Sequence, residues 1–278
     1  MHNQPSPRTV VPNRARTTVI AHRGASGTFA EHTLAAYQLA VEQGADGLEC
    51  DVRLTADGHL VCVHDRTVNR TSNGRGVVST LELAQLSELD FGAWKANGST
   101  QVEEADWTSP EHTRVLTLER LLELHADAGR RVELAIETKH PTRYAGLVEK
   151  RLMELLRRFD LLPNGRSDEP SPVRVMSFSQ LSLKRVRQMA PELPTVFLME
   201  RVLPWLRDGS LPHGARIAGP GIDLIRANPG YVAALHRAGH RVHVWTVDAP
   251  EDVELCLRLG VDAIITNHPR RVLDQLGR

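Results

Sequence analysis

Short runs rich in β-branched residues alternate with helical patterns along almost the whole chain, and this rhythm restricts the fold to a parallel sheet covered by helices. Candidate strands are Thr18–His22, Gly47–Arg53, Leu60–His64, Val132–Glu137, Val173–Phe178, Thr195–Met199, Ile222–Arg226, Arg241–Val247 and Asp262–Thr266. Candidate helices span 32–43, 117–128, 143–159, 180–189, 229–238 and 250–259. Leu147, Leu152, Leu155 and Leu156 fall near helical spacing. Gly44, Gly129, Gly239 and Gly260 follow helices as C-terminal stops. A chain of 278 residues suits one large (β/α)8 barrel or two modest domains, and the unbroken rhythm favours the barrel.

Nine candidate strands exceed a barrel's eight, and the excess has a local cause. Between two of them, Leu54-Thr55-Ala56-Asp57-Gly58-His59 leaves no room for a helix and contains an Asp-Gly turn. A two-residue loop pairs Ala56 with His59, sets Asp51 opposite His64 and sets Val52 opposite Val63. Residues 60–64 are therefore expected to return as a hairpin arm, leaving eight parallel strands, with a parallel assignment for that strand as the alternative. Residues 66–116 then interrupt the rhythm with Asn73-Gly74-Arg75-Gly76, a helical pattern near 80–89 and a polar stretch. An insertion without its own core, serving as a lid or binding loop, is expected there. Residues 1–16 are Pro- and Arg-rich and are expected to form a disordered tail, with the barrel occupying 17–278.

Lys+Arg and Asp+Glu both number 34, for a formal charge of +0. No global field recruits nucleic acid or an anionic membrane, so anion recognition must come from local residues. No apolar run reaches the roughly 18 residues of a transmembrane segment. Cys50, Cys62 and Cys256 form no CxxC pair and are expected to be buried, reduced thiols. Such thiols point to a reducing compartment.

Charged residues inside strands carry the functional information, because a buried charge is costly unless paired or metal-bound. Glu49 and Asp51 lie two apart and project from one face of the second strand, as do Glu137 and Lys139 at the end of a later one. His22 and Arg23 end the first strand, and His64 ends the hairpin arm. In a barrel these strand ends converge on one mouth. Three carboxylates in one cleft repel unless a cation neutralises them, and oxygen-only ligands select Mg²⁺ or Ca²⁺. Arg23 and Lys139 suit a phosphate bound against that metal, and two histidines supply an acid and a base.

A series of longer motifs runs along the chain. They are Ile20-Ala21-His22-Arg23-Gly24-Ala25, Glu31-His32-Thr33-Leu34-Ala35-Ala36-Tyr37, Gly44 to Val52, Leu54-Thr55-Ala56-Asp57-Gly58, Val63-His64-Asp65 and Arg70-Thr71-Ser72-Asn73-Gly74. Ile136-Glu137-Thr138-Lys139, Val244-Trp245-Thr246-Val247 and Gly260 to Asn267 follow in order. This series resembles the glycerophosphodiester phosphodiesterase family, and the resemblance runs from about residue 18 to 270. It implies a TIM-barrel hydrolase that releases glycerol 3-phosphate from small glycerophosphodiesters such as glycerophosphocholine and glycerophosphoethanolamine. It implies a divalent metal held by Glu49, Asp51 and Glu137, His22 and His64 as the acid/base pair, and Arg23 with Lys139 on the phosphate. Trp245 and Phe178 would line the apolar side of the glycerol slot, and 66–116 would be the family's insertion over the mouth. The lack of a secretion signal fits the family's cytoplasmic branch.

Two departures stand out. Ala30-Glu31-His32-Thr33 replaces the family's usual Pro-Glu-Asn-Thr, which is expected to change the bracing of the first loop without touching the ligands. Asp248 stands where Asn is frequent and is expected to add negative charge near the mouth. Three other readings compete. A lysophospholipase D-like enzyme would show an apolar rim, for which Trp94, Trp107, Phe91 and Trp205 are the candidates. A phosphoinositide-type phospholipase would release a cyclic product. A non-catalytic phosphate-binding module would have lost a histidine or a carboxylate, and this chain has lost none.

Overall fold

In the computed structural model, which describes residues 17–96, 109–143, 146–163 and 171–278, the strand candidates close on themselves. The strands are β1 (Thr18–His22), β2 (Gly47–Leu54), β3 (Leu60–Cys62), β4 (Glu133–Thr138), β5 (Val173–Ser177), β6 (Thr195–Met199), β7 (Ile217–Pro220), β8 (Arg241–Val244) and β9 (Ala263–Thr266). Their neighbour order is β1-β9-β8-β7-β6-β5-β4-β2-β3, and β1 also pairs with β2 to complete the ring. Among the described residues only β3 is an antiparallel strand, an arm on β2, so eight parallel strands form the barrel.

Helices cover the outside, and their starts are written in the sequence. Thr33, Thr117 and Ser179 each accept a hydrogen bond from a first-turn backbone N–H, capping the helices Leu34–Glu42, Leu118–Ala126 and Gln180–Met189. Pro250 opens the helix Pro250–Leu259, and Gly260 ends it in the left-handed conformation at φ 71°. Outward strand residues such as Leu48, Leu134 and Val175 pack on these helices, while Ile20, Ala135, Met176, Val196, Leu198, Ile217, Ala263 and Ile265 fill the interior.

Two expectations are corrected. Ile222–Arg226 is not a strand but part of the helix Ile222–Ala227, and β7 comes five residues earlier, at Ile217–Pro220. Ile222 and Leu224 alternate like a strand, yet Ile225 is buried with them, which is helical spacing. The true strand is masked by its Gly219-Pro220 end. A Cβ on Gly219 would come within 2.6 Å of Leu198 Cδ2 on β6, so a larger residue there would have to displace that side chain. The hairpin register is also shifted by one: Val52 faces Cys62 and Leu54 faces Leu60. Thr55 N–H donates to His59 C=O across a three-residue loop in which Gly58 has φ 89°, so one residue more than expected lies in the turn.

The 1–16 tail and Trp107 lie outside the described residues. The described part of 66–116 holds a 3₁₀ turn at Val78–Thr80 and helices Leu83–Ser87, Ala93–Ala96 and Pro110–Thr113. Val68, Val78, Leu86 and Phe91 form a small apolar cluster with Val61 and Val63 of the hairpin arm, which seats the insertion on that arm. Among the described residues, no helix is long and apolar enough to cross a membrane. Cys50, Cys62 and Cys256 are free and buried, as expected.

Candidate active site

Strand alternation assembles the site. Interior-facing residues recur at every second position, so the rows Ile20-His22, Ala135-Glu137-Lys139 and Met176-Phe178 climb from the apolar interior to its mouth. Parallel pairing sets the heights, with His22 beside Glu49, and Asp51 beside Glu137. His22, Arg23, Glu49, His64, Glu137, Lys139, Phe178 and Trp245 line one cavity of about 90 Å³, together with Met176, Leu198, Glu200 and Ile265. Asp51 lies beneath them and is 1% exposed. All nine residues proposed from sequence are therefore brought together. A larger cleft of about 440 Å³, lined by Arg53, Arg66 and Arg143, carries none of them.

Glu49, Asp51 and Glu137 each present an oxygen, and these oxygens lie within 4.8 Å of one another. The electrostatics show how poorly such a group tolerates being alone. Burial, then the charge of Asp51, pushes the Glu49 carboxyl well above the usual range. The same two causes, partly offset by Lys139, raise Glu137 to about 8. Asp51 goes the other way: burial works against its charge but is outweighed by a hydrogen bond from His32 and by Lys139 and Arg23. Lys139 Nζ reaches Glu137 Oε1 at 2.9 Å and Asp51 Oδ1 at 3.3 Å. An all-oxygen triad that two cations only partly satisfy fits a hard divalent ion.

Arg23 owes its position to the backbone. It sits at φ 59° with Gly24 at φ 81°, a left-handed pair that turns the chain sharply off β1. A Cβ on Gly24 would meet Ala36 backbone atoms at 2.6 Å, so glycine is obligatory. The turn lets Arg23 N–H donate to Glu49 Oε2 at 3.0 Å. It also brings the guanidinium to Asp51 Oδ2 at 3.1 Å and Glu31 Oε1 at 2.9 Å.

The two histidines have different supports. His22 Nδ1 meets Asn267 Oδ1 at 2.8 Å, and Asn267 is fixed because its Nδ2 donates to Asp248 Oδ2 at 2.6 Å. With the amide oxygen facing His22, Nδ1 carries the proton and Nε2 keeps its lone pair. Burial, reinforced by the charge of Arg23, lowers His22 to about 4. His64 Nδ1 instead meets Asp65 Oδ1 at 2.7 Å. Hydrogen bonding from Arg70 is the main cause holding Asp65 at about 2, so it is a permanent anion. His64 is lowered too, through burial, while Asp51 and Asp65 favour its charged form.

The apolar wall is Trp245 and Phe178, edge to face with centroids 5.5 Å apart. Trp245 is locked by donation from Nε1 to Gly219 C=O at 2.7 Å, whereas Phe178 is 42% exposed.

Asp248 and His32 do not behave as the sequence led us to expect. Asp248 accepts from Thr266 Oγ1, Asn267 N–H and Asn267 Nδ2, so its charge is spent on the Asn267 support and not at the mouth. His32 does touch a proposed ligand: its Nε2 lies 2.9 Å from Asp51 Oδ2 and its Nδ1 lies 2.8 Å from Tyr37 Oη. It is 5% exposed and holds φ 61°, a conformation Asn adopts more readily, and its longer ring spans to β2. His32→Ala is expected to cost about 1–3 kcal/mol in urea unfolding by stripping a buried carboxylate of a donor. His32→Asn should fall between the two; an unchanged Ala midpoint would show the contact to be idle.

Sequence reasoning passed over Asn267, Asp65, Glu31 and Arg70 as individual side chains. Each lies within a quoted motif, but support through a second residue leaves no spacing pattern of its own.

Comparison with known proteins agrees with this geometry. Residues 22–271 match the model of the glycerophosphoryl diester phosphodiesterase family. A protein of Mycobacterium tuberculosis named probable glycerophosphodiester phosphodiesterase 1 is 46% identical over 253 residues, covering 91% of this chain and 90% of its own. A glycerophosphodiester phosphodiesterase of Bacillus subtilis is 35% identical over 256 residues, covering 91% and 84%. Among solved structures, a putative glycerophosphoryl diester phosphodiesterase of Silicibacter pomeroyi superposes with TM-score 0.76 at 26% identity, covering 94% of this chain and 93% of its own. An Oleispira antarctica phosphodiesterase in complex with the product sn-glycerol-3-phosphate gives TM-score 0.79 at 24% identity, covering 95% and 98%, and shares the fold. The chain thus belongs to the glycerophosphoryl diester phosphodiesterase family and is a phosphoric diester hydrolase built on its barrel.

Proposed function

We propose that this enzyme hydrolyses small glycerophosphodiesters, such as glycerophosphocholine and glycerophosphoethanolamine, to glycerol 3-phosphate and the alcohol. Glu49, Asp51 and Glu137 would hold a Mg²⁺ or Ca²⁺ ion. The observation that carries this reading is the oxygen triad, within 4.8 Å, sharing one cavity with both histidines. When bound, the ion neutralises the triad and withdraws charge from the phosphate. Arg23 and Lys139 complement the non-bridging oxygens, whose charge grows as the bond breaks.

His22, kept neutral by burial and a neutral amide partner, takes the proton of the nucleophile at Nε2. That nucleophile is water, or the glycerol 2-hydroxyl in a route through a cyclic phosphate. His64, whose charged form Asp51 and the anionic Asp65 favour against burial, is the one placed to carry the proton that Nε2 delivers to the departing alkoxide. Trp245 and Phe178 face the glycerol carbons. At about 90 Å³ the cavity leaves no enclosed room for the alcohol, so tolerance for its identity is expected to be broad. The buried free thiols support a reducing, cytoplasmic setting.

A lysolipid substrate is the second reading, favoured by Trp205, 66% exposed on the turn after β6, and Trp94, 37% exposed on the insertion. Phe91 does not serve it, being 5% exposed in the insertion's cluster.

The deciding assay measures glycerol 3-phosphate from glycerophosphocholine with EDTA, then with Mg²⁺ or Ca²⁺ restored, alongside lysophosphatidylcholine. Turnover lost to EDTA and regained with one ion is expected. Release that persists after full chelation would sink the metal assignment, and activity on the lysolipid alone would favour the second reading.

A further inference from the structure

One side chain of the insertion touches the supports of two different parts of the site. Arg70 donates from Nη1 to Glu31 Oε2 at 2.8 Å and from Nη2 to Glu31 Oε1 at 2.8 Å. It also donates from Nε to Asp65 Oδ2 at 2.7 Å, with Nη2 at 3.3 Å from Asp65 Oδ1. Glu31 Oε1 is the oxygen that receives Arg23 Nη1, and Asp65 Oδ1 is the oxygen beside His64 Nδ1. A continuous path, Arg23–Glu31–Arg70–Asp65–His64, therefore joins the turn after β1 to the end of the hairpin arm.

A guanidinium is a rigid planar fork, so it fixes the plane and spacing of two carboxylates at once, which an ammonium on a flexible stem does not. Glu31 is held at about 2: burial works against its charge, and hydrogen bonding from Arg70 and the charge of Arg23 overcome it. The insertion reinforces the same seam. Trp94 lies 6.0 Å from the Arg70 guanidinium, and Lys95 Nζ donates to Ser26 C=O on the turn after β1. With Arg70 43% exposed, its ion pairs are too solvated to matter much for stability, so their weight falls on orientation.

We propose that Arg70 is a positioning residue that couples the phosphate-holding Arg23 to the proton-donating His64 through Glu31 and Asp65. The proposal rests on the roles assigned to Arg23 and His64 above. Loss of Arg70 leaves Asp65 free to swing from His64, which lowers kcat. It also strips Glu31 of its two strongest donors, which loosens Arg23 and raises KM.

The test is steady-state kinetics on glycerophosphocholine for Arg70→Ala, Arg70→Lys, Glu31→Gln, Asp65→Asn and the Arg70→Ala/Asp65→Asn pair, with melting curves for each. Outer-shell partners of this kind contribute about 10–100-fold. Arg70→Ala is expected to lose that much in kcat/KM, spread over both constants. Glu31→Gln should act mainly on KM and Asp65→Asn mainly on kcat. Arg70→Lys should not restore the rate, and Asp65→Asn should cost far less once Arg70 is gone. If Arg70→Ala does not fold, Arg70→Gln carries the same comparison.

Near wild-type kinetics in a folded Arg70 variant, or fully additive losses in the pair, would overturn the coupling. His64→Ala and Arg23→Ala are measured beside them. If those retain turnover, the underlying assignments fail and the coupling with them. If they abolish it while the Arg70 variants stay active, the coupling alone is wrong.

Discussion

His64→Ala is expected to lose about 10²–10⁴-fold in kcat on glycerophosphocholine and much less on a glycerophospho-p-nitrophenyl ester. The reason is the leaving group. Choline departs as a strongly basic alkoxide that must be protonated as the bond breaks, whereas p-nitrophenolate leaves unaided. His64 is the histidine placed to supply that proton, because Asp65 at 2.7 Å from Nδ1 stabilises the imidazolium. His22→Ala should fall by a similar factor on both substrates, since deprotonating the nucleophile is needed whatever leaves. Parallel kcat measurements on the two esters separate the roles. A larger rescue of His22→Ala by the activated ester would exchange acid and base, and equal losses in both variants on both esters would remove the distinction. The support residues should reproduce the pattern more weakly: Asn267 fixes the His22 tautomer and Asp65 that of His64, so their removal misaligns a proton without deleting its carrier.

How much of this was legible beforehand follows from how each feature is encoded. The barrel and its site rest on period-two alternation, and charges on an interior row are visible as violations of an apolar strand. Glu49, Asp51, Glu137 and Lys139 could therefore be assigned to the barrel mouth from the sequence alone. β7 could not: with four residues, Ile217–Pro220 ending in Gly-Pro, it offers too short a pattern, and the adjacent Ile222 and Leu224 imitate a better one. The hairpin register hinged on whether Asp57-Gly58 closes a two- or a three-residue loop, and the positive φ of Gly58 serves either. His32 was misjudged for a different reason. A substitution in a loop motif looked local, but the left-handed backbone aims its ring across to Asp51, and no spacing in the sequence reports that direction.

The second large effect joins activity to stability. Glu137→Gln should lower turnover by at least about 10³-fold, because weakening the ion's hold removes several kcal/mol of charge stabilisation from the transition state. The same change should make the chelated protein more stable than chelated wild type. Glu137 is raised to about 8 by burial and by Asp51, even after the favourable contact with Lys139. An acid whose folded pKa exceeds its unfolded value, about 4.3, destabilises the fold once the unfolded chain has ionised and the folded group resists. The penalty is absent below that value, grows as pH rises and is complete above about 8. Glu137→Gln should therefore gain on chelated wild type as pH rises from 6 to 8, over whatever slope the lowered histidines such as His22 and His243 give to both proteins. Restored ion narrows the gap: at about 100 times its dissociation constant it stabilises wild type by about 2.7 kcal/mol, and the variant by less. Melting curves at both pH values, with and without ion, read all four states. A chelated wild type whose stability rose between pH 6 and 8, with Glu137→Gln parallel to it, would show that the triad is already neutralised by Lys139 and Arg23 and has no need of a cation.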